Sequence, residues 1–288
     1  MNLLSPFDPW KSQLCTCPSK LSLNPYTGCS HGCLYCYASS YIPRFSEVRP
    51  KVGLHSRLAR DLRVVTGDTF VSLASSSDPY PPQEERLGLT RGCLVQLSER
   101  DLLVQVVTKS DLVVRDADIL SDMGATVAIT ITTLDEELAG RLEPHAPSPS
   151  RRLAAVRSLV RSSVPVSVRV DPIIPGLNDR GARDLISTLK GAGAAHVTSS
   201  TYKARPDSWR RLTYEFPEEM GRLCRLYFEL GQKVGGSRYL PQPIRAGLLQ
   251  PIAEACHQAG ITFSSCREGL TVEGSCDGSH LARSSTAR

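Results

Sequence analysis

The sequence predicts an α/β fold of repeated strand–helix–strand units around a parallel sheet. Two observations carry this. Strand-like and helix-like runs alternate over most of the length. Hydrophobic residues make up 41% of the 288 and charged residues 22%, ample material for one large domain or two small ones. Right-handed crossovers turn such units into either a doubly wound sheet or a barrel. No G-x-G-x-x-G follows the first strand, so the dinucleotide-binding version lacks its fingerprint.

The elements follow in order. Thr69–Ala74 (TFVSLA) reads as a strand and Arg91–Glu99 as a short helix. Leu102–Thr108 (LLVQVVT) is a buried strand, followed by a helix over Val113–Met123. Thr126–Thr132 is a strand and Leu134–Leu142 a helix. Ser150–Arg161 is an amphipathic helix, with Leu153, Val156, Leu159 and Val160 on one stripe and arginines opposite. Val164–Val170 is a strand, Arg180–Ala192 a helix, His196–Thr201 extended, and Glu218–Leu230 and Ile252–Gln258 helical.

Composition narrows the function classes. Net charge is +5 and pI about 8.7, a mildly basic balance compatible with a nucleic-acid partner but equally with a mixed, solvated surface. No uncharged apolar run approaches the roughly 18–20 residues of a membrane span. Met1–Trp10 has no apolar signal-peptide core, so the chain reads as cytoplasmic. Ten cysteines in such a chain point to metal binding or catalysis rather than to a disulfide scaffold.

Asn24–Ala38 reads NPYTGCSHGCLYCYA. Cys29, Cys33 and Cys36 form C-x3-C-x2-C, with Gly28 and Gly32 giving the backbone freedom to turn three thiolates inward. Three soft ligands in one short loop suit an iron–sulfur cluster that keeps one iron open. An open zinc site follows similar logic, but zinc favours paired C-x2-C units.

This loop resembles that of radical S-adenosylmethionine enzymes, and the longer stretch resembles their spore photoproduct lyase-like family. The likeness runs through SSSDPYPPQEERLGLTR (Ser75–Arg91), VVTKSDLVVRD (Val106–Asp116), ITITTLDEEL (Ile129–Leu138), LEPHAPSPSRRLAAV (Leu142–Val156) and DPIIPGLND (Asp171–Asp179). It implies a partial (β/α)6 barrel at residues 21–232, with extensions at 1–20 and 233–288. It implies a [4Fe-4S] cluster on Cys29, Cys33 and Cys36, and S-adenosylmethionine cleaved to a 5′-deoxyadenosyl radical that abstracts hydrogen from substrate. A one-electron reductant such as a ferredoxin or flavodoxin is implied as well, in a lyase- or transferase-type reaction. The matching positions give Asp78 to the methionyl ammonium and Lys109 to the carboxylate. They set Ser77 and Thr130 beside that zwitterion and Tyr35 on the adenine. Tyr37, like Tyr35, matches a tyrosine of the family's radical relay. One departure stands out: Ser75 occupies the position of the cysteine that returns a hydrogen atom in photoproduct repair.

A second cysteine set frames the chain. Cys15-Thr16-Cys17 precedes the loop, and Cys266 and Cys276 lie in the polar stretch SSCREGLTVEGSCDGS. If the two ends meet, these four thiolates could hold a second iron–sulfur cluster or zinc; the alternative is four unrelated thiols. Cys93, Cys224 and Cys256 read as core residues. Two other classes stay open: a non-catalytic iron–sulfur protein for electron transfer or cluster assembly, and a nucleic-acid-binding zinc module using Lys203–Arg211 (KARPDSWRR) with Trp209 for stacking. Substrates consistent with the first reading are a nucleic-acid base or a protein side chain.

Overall fold

A computed structural model describes residues 2–7, 14–67, 69–74, 76–270 and 273–283. One eight-stranded sheet organises it: β1 (Ser5–Pro6), β2 (Leu21–Leu23), β3 (Phe70–Leu73), β4 (Leu103–Thr108), β5 (Thr126–Thr130), β6 (Val166–Ile173), β7 (His196–Thr201) and β8 (Thr262–Ser265). The strands lie side by side in chain order. Only β1 and β2 pair antiparallel; β2 to β8 are all parallel. A doubly wound sheet would reverse its strand order at a switch point. Here the order never reverses, and among the described residues no ladder joins β1 to β8. The sheet is therefore an open, singly wound partial barrel.

Residues of β5 and β7 are buried throughout; β5 (TVAIT) reads accordingly as a near-continuous run, whereas β7 (HVTSST) buries mostly small polar side chains. Outside them pack helices at Leu89–Ser98, Pro149–Arg161, Ala182–Gly191 and Gln242–Ala259. Pro149–Arg161 starts at a Ser148 cap that accepts from Arg151 N, with Pro149 in its first turn. Leu153, Val156 and Leu159 face the core as expected. Arg152 departs from the expected polar face: it is buried beside them.

Other departures have local causes. The run Val113–Met123 is a 3-10 segment (Asp111–Asp116) followed by a short α-helix (Ala117–Asp122). Buried Asp116, bound by Tyr80, Arg91 and Arg115, fixes the junction. The KARPDSWRR segment enters a helix, Pro206–Glu215, and Trp209 packs against Tyr227 and Phe228. Cys93 and Cys256 are core residues, but Cys224 is exposed on Pro217–Phe228. The polar stretch SSCREGLTVEGSCDGS is not loop throughout: its first residues end β8, held on β7 by its ladder. No helix among the described residues is long and apolar enough to cross a membrane.

Residues 275–281 fill the barrel from its N-terminal end. Gly278 stands against β6, where an added Cβ would sit 2.5 Å from Ser167 Cβ. Gln105 Nε2 of β4 donates to Asp277 O at 2.8 Å, and His280 meets His196 of β7 edge-on at 4.9 Å. Burial lowers the His196 imidazole to about 4; positive charge on His280 and Arg169 adds to this and Asp277 opposes it. Nδ1 of His196 meets Thr262 Oγ1 at 2.8 Å, while Nε2 is buried without a partner among the described residues. The unfolded chain titrates this group near 6.5. As pH falls from there toward 4 the unfolded state binds the proton first, so stability falls by about 3 kcal/mol. Denaturant midpoints should decline across that window, and His196→Asn should flatten the decline. An equal decline in the variant would assign it to other groups.

Candidate active site

A cavity of about 600 Å³ opens where the strands end, within the usual range for small-ligand sites. Successive strands deliver one part of its wall each. Asn24 follows β2, Ser77 and Asp78 follow β3, Lys109 follows β4, Thr130 ends β5, Asp171 lies in β6, Thr201 ends β7 and Cys266 follows β8. Side chains from different strands converge there, as at the functional face of closed barrels.

The cysteine loop is clamped by its backbone. Gly28 has φ +84°, and a Cβ would lie 2.3 Å from Glu47 O, so only glycine fits. Cys29 N donates to Phe45 O at 2.8 Å and Leu34 N to Leu142 O at 2.9 Å. Arg211, held by Asp207 at 2.6 Å, donates to Leu34 O and Cys36 O. That leaves Cys29, Cys33 and Cys36 half-buried on the cavity wall. Burial pushes the Cys29 thiol up to about 12, with the Asp78 charge adding to it. It raises Cys33 too, against the pull of Lys109. These thiols become thiolates only when a cation replaces their protons.

Opposite them stands Lys109. Its ammonium lies 5.4 Å from the Tyr35 ring centre, and among the described residues its Nζ makes no hydrogen bond or ion pair. Burial would lower its pKa, but Cys33 and Glu143 outweigh that and raise it. Beneath Tyr35 runs a buried chain the sequence did not reveal. Tyr35 Oη donates to Glu143, Thr132 Oγ1 donates to the same carboxylate at 3.2 Å, and Arg152 pairs with its other oxygen. Arg152 also donates to Thr130 O at 3.1 Å. Both Glu143 and Arg152 are about 1% exposed. Burial alone would raise the Glu143 pKa; Lys109 and Arg152 hold it below the ordinary value.

Asp78 is the most heavily engaged wall residue. Oδ1 accepts from Tyr80 N at 2.9 Å, closing an Asx turn, and from Thr108 Oγ1 at 2.8 Å. Oδ2 accepts from Lys109 N at 2.9 Å and faces His31 Nε2 at 3.0 Å. Burial works against its ionisation, but His31 and these N–H groups hold it at about 2. Ser77 Oγ donates to Tyr26 O at 3.0 Å. Thr130 is buried on the wall, and Tyr37 sits half-exposed at the cavity edge, stacked on Tyr41. Ser75 lies outside the described residues.

The far wall is cationic. Arg169 pairs with Asp171 at 2.5 Å, Lys203 with buried Glu268 at 2.9 Å, and Arg205 and Arg267 complete it. Cys266 lies among these groups. The second cysteine set is therefore divided. Cys17 and Cys276 meet at 3.3 Å, Cys15 lies against Cys17, and Cys266 is elsewhere on the wall.

The donor spacing tests what each set suits. Among the described residues, Cys17, Cys276 and Asp277 form a trio whose donor atoms all lie within 4.8 Å of one another. Cys29, Cys33 and Cys36 line one wall without crowding that closely. A single ion draws its thiolates together; a cluster of several irons spreads them, so the loop fits a cluster.

The radical SAM superfamily model matches residues 23–189, the segment from β2 through the helix after β6. The chain belongs to the radical SAM superfamily. This radical SAM protein is 33% identical over 168 residues to an uncharacterized protein of Methanocaldococcus jannaschii, covering 56% of this chain and 63% of that one. Over 197 residues it is 28% identical to an uncharacterized protein of Mycobacterium tuberculosis, covering 63% and 58%. It thus spans less than two thirds of the length of these curated relatives. A radical SAM Nα-GlyT isomerase of Pseudomonas phage M6 is 23% identical over 256 residues, covering 85% and 53%. Among solved structures, spore photoproduct lyase superposes with TM-score 0.69 at 17% identity over 91% of this chain and 78% of that one. Streptococcus suis SuiB bound to S-adenosylmethionine superposes at 0.61 with 14% identity, over 85% and 51%. Enzymes of this superfamily cleave S-adenosylmethionine reductively by a radical mechanism and need a reductant and a substrate.

Proposed function

We propose that this chain is an enzyme that abstracts hydrogen from an anionic, nucleic-acid-type substrate held against the cationic wall. The observation that carries the site reading is Lys109: an ammonium facing the thiols with no acceptor of its own among the described residues. A buried cation in that state awaits a carboxylate. Bound to Cys29, Cys33 and Cys36, a [4Fe-4S] cluster would supply the electron that cleaves S-adenosylmethionine to a 5′-deoxyadenosyl radical. A ferredoxin or flavodoxin serves as the electron source.

In this reading the residues divide the work. Lys109 takes the methionyl carboxylate, Ser77 and Thr130 flank it, and Tyr35, fixed through Glu143, packs on the adenine. Asp78 holds His31 and the Lys109 backbone in place and lies at the ammonium's end of the site. Tyr37, at the cavity edge, stands where the family's radical relay has a tyrosine. Residues 21–232 form the catalytic barrel, and from the extensions 1–20 and 233–288 the strands β1 and β8 and residues 275–281 complete its sheet and floor.

Substrate class follows from charge. Six cationic side chains line the cavity (Lys20, Lys109, Arg169, Lys203, Arg205, Arg267) against three carboxylates (Asp78, Asp171, Asp277). Arg267 adopts φ +56°, a costly backbone conformation for arginine that keeps its side chain on the wall. Spore photoproduct lyase with a dinucleoside spore photoproduct is one solved relative, and SuiB bound to a precursor peptide is another. With Ser75 where a hydrogen-returning cysteine would stand, photoproduct repair by that route is not proposed.

Lys109→Met should weaken S-adenosylmethionine binding by about 2–5 kcal/mol while iron content stays at wild-type level. Calorimetry on anaerobically reconstituted protein reads it, and unchanged affinity would return Lys109 to a structural role. Turnover with reductant should yield 5′-deoxyadenosine, which an electron carrier would not make. Label transfer from oligonucleotides rather than from peptides would support the substrate class; the reverse would replace it.

A further inference from the structure

We propose that Cys17, Cys276 and Asp277 form a second metal site for one thiophilic divalent ion, separate from the loop cysteines. It joins the N-terminal segment to the floor of the barrel. The two thiols stand 3.3 Å apart, and both are free cysteines. Thiolates bound to one tetrahedral zinc at about 2.3 Å stand about 3.8 Å from each other, so the donors need only a small shift to close on an ion. With Asp277 they form a set within 4.8 Å.

The surroundings suit an ion. Cys276 is 1% exposed and Asp277 5%, so these two donors are shielded from solvent, while Cys17 is half-buried. Lys20 pairs with Asp277. Two thiolates and a carboxylate around a divalent ion leave one negative charge, which the Lys20 ammonium neutralises; unpaired, that charge would be costly at this depth. Asp277 Oδ1 accepts from Ser279 N at 3.0 Å, and Asp277 O accepts from Gln105 Nε2 at 2.8 Å. Ligand carboxylates in metal sites are oriented by such bonds. Cys15, against Cys17 and on the cavity wall, is in position to be the fourth donor, and the second negative charge its thiolate would add is offset by Arg267 nearby. Cys266, among Arg169, Asp171 and Lys203, is not part of the set.

The close approach of the donors also separates this site from a second cubane, whose four ligands sit on four different irons. The experiment uses full-length protein with Cys29, Cys33 and Cys36 all replaced by alanine, so that the loop binds no metal. Zinc is the probe. After equilibration and gel filtration, one equivalent should remain bound. X-ray absorption at the zinc edge should report sulfur donors together with oxygen. Adding Cys17→Ser and Cys276→Ser should reduce retained zinc at least tenfold, whereas adding Cys266→Ser should leave it at one equivalent. If the serine pair fails to fold, the zinc-edge spectrum decides alone, and a sulfur-free shell overturns the site. No retained zinc overturns it as well, as do loss of zinc in the Cys266 variant and a Cys17–Cys276 disulfide in non-reducing mass mapping of anaerobically prepared protein.

Discussion

Replacing Cys29, Cys33 and Cys36 together with alanine should abolish 5′-deoxyadenosine formation while leaving the fold intact. The loop is shaped by Cys29 N, Leu34 N and the Arg211 guanidinium acting on backbone groups, and none of these needs a sulfur atom. Nor do these cysteines belong to the buried core. Circular dichroism and the denaturation midpoint of the variant should therefore match wild type. The iron-dependent EPR signal of the reduced protein should vanish. Residual cleavage of S-adenosylmethionine in the triple variant would move the chemistry away from this loop.

The largest stability effect should come from Arg152→Met. Glu143 is fully buried, and Arg152 is its only arginine partner among the described residues. Removing one member of a buried pair leaves the other charged and uncompensated, a loss of about 3–5 kcal/mol. Lys109 and the Tyr35 hydroxyl remain nearby, so the lower part of that range is expected. Glu143→Gln in the Arg152→Met background should recover part of the loss by removing the stranded charge. The pH dependence has a defined sign. Because Glu143 ionises more readily when folded, its contribution is complete above its unfolded pKa, about 4.3, and is lost as pH falls below that. Urea denaturation from pH 7 to 2 measures both effects. A loss under about 1 kcal/mol in Arg152→Met would show that Lys109 alone holds the carboxylate.

Strand–helix alternation was legible because β4, β5 and β6 are largely buried and rich in β-branched residues, while β7 (HVTSST) is buried but mostly small and polar. β8 was not, since Thr262–Ser265 is short, polar and followed by glycine-containing loop; only its ladder to β7 makes it a strand. The helix at Pro206–Glu215 hid behind charges that turn inward, Arg211 to the cysteine loop and Asp207 to Arg211. At the site, spacing marked the three loop cysteines and the family motifs marked Ser77, Asp78, Lys109 and Thr130; all seven line one cavity. His31, Glu143 and Arg152 lie inside the quoted motifs without a role attached to them, and Arg169 carried no mark. Each draws its meaning from a partner on another segment, and local pattern does not encode such pairings. Asp78 illustrates the limit: its four donors come from the cysteine loop, its own turn and the end of β4. The split of the second cysteine set, with Cys266 apart from Cys276, likewise depends on where β8 ends.

The inner floor of the barrel has a consequence for synthesis. Strands β2 to β7 emerge in the order in which they sit, so each finds its neighbour already made. The segment carrying Asp277 and Gly278 emerges long after Gln105, Ser167 and His196, the groups it covers. Until then the nascent sheet encloses a polar trough that is open at both ends and bears unsatisfied donors. A chain truncated before residue 275, as by a frameshift there, would have all eight strands but no floor, and quality-control factors should capture such partly folded species first.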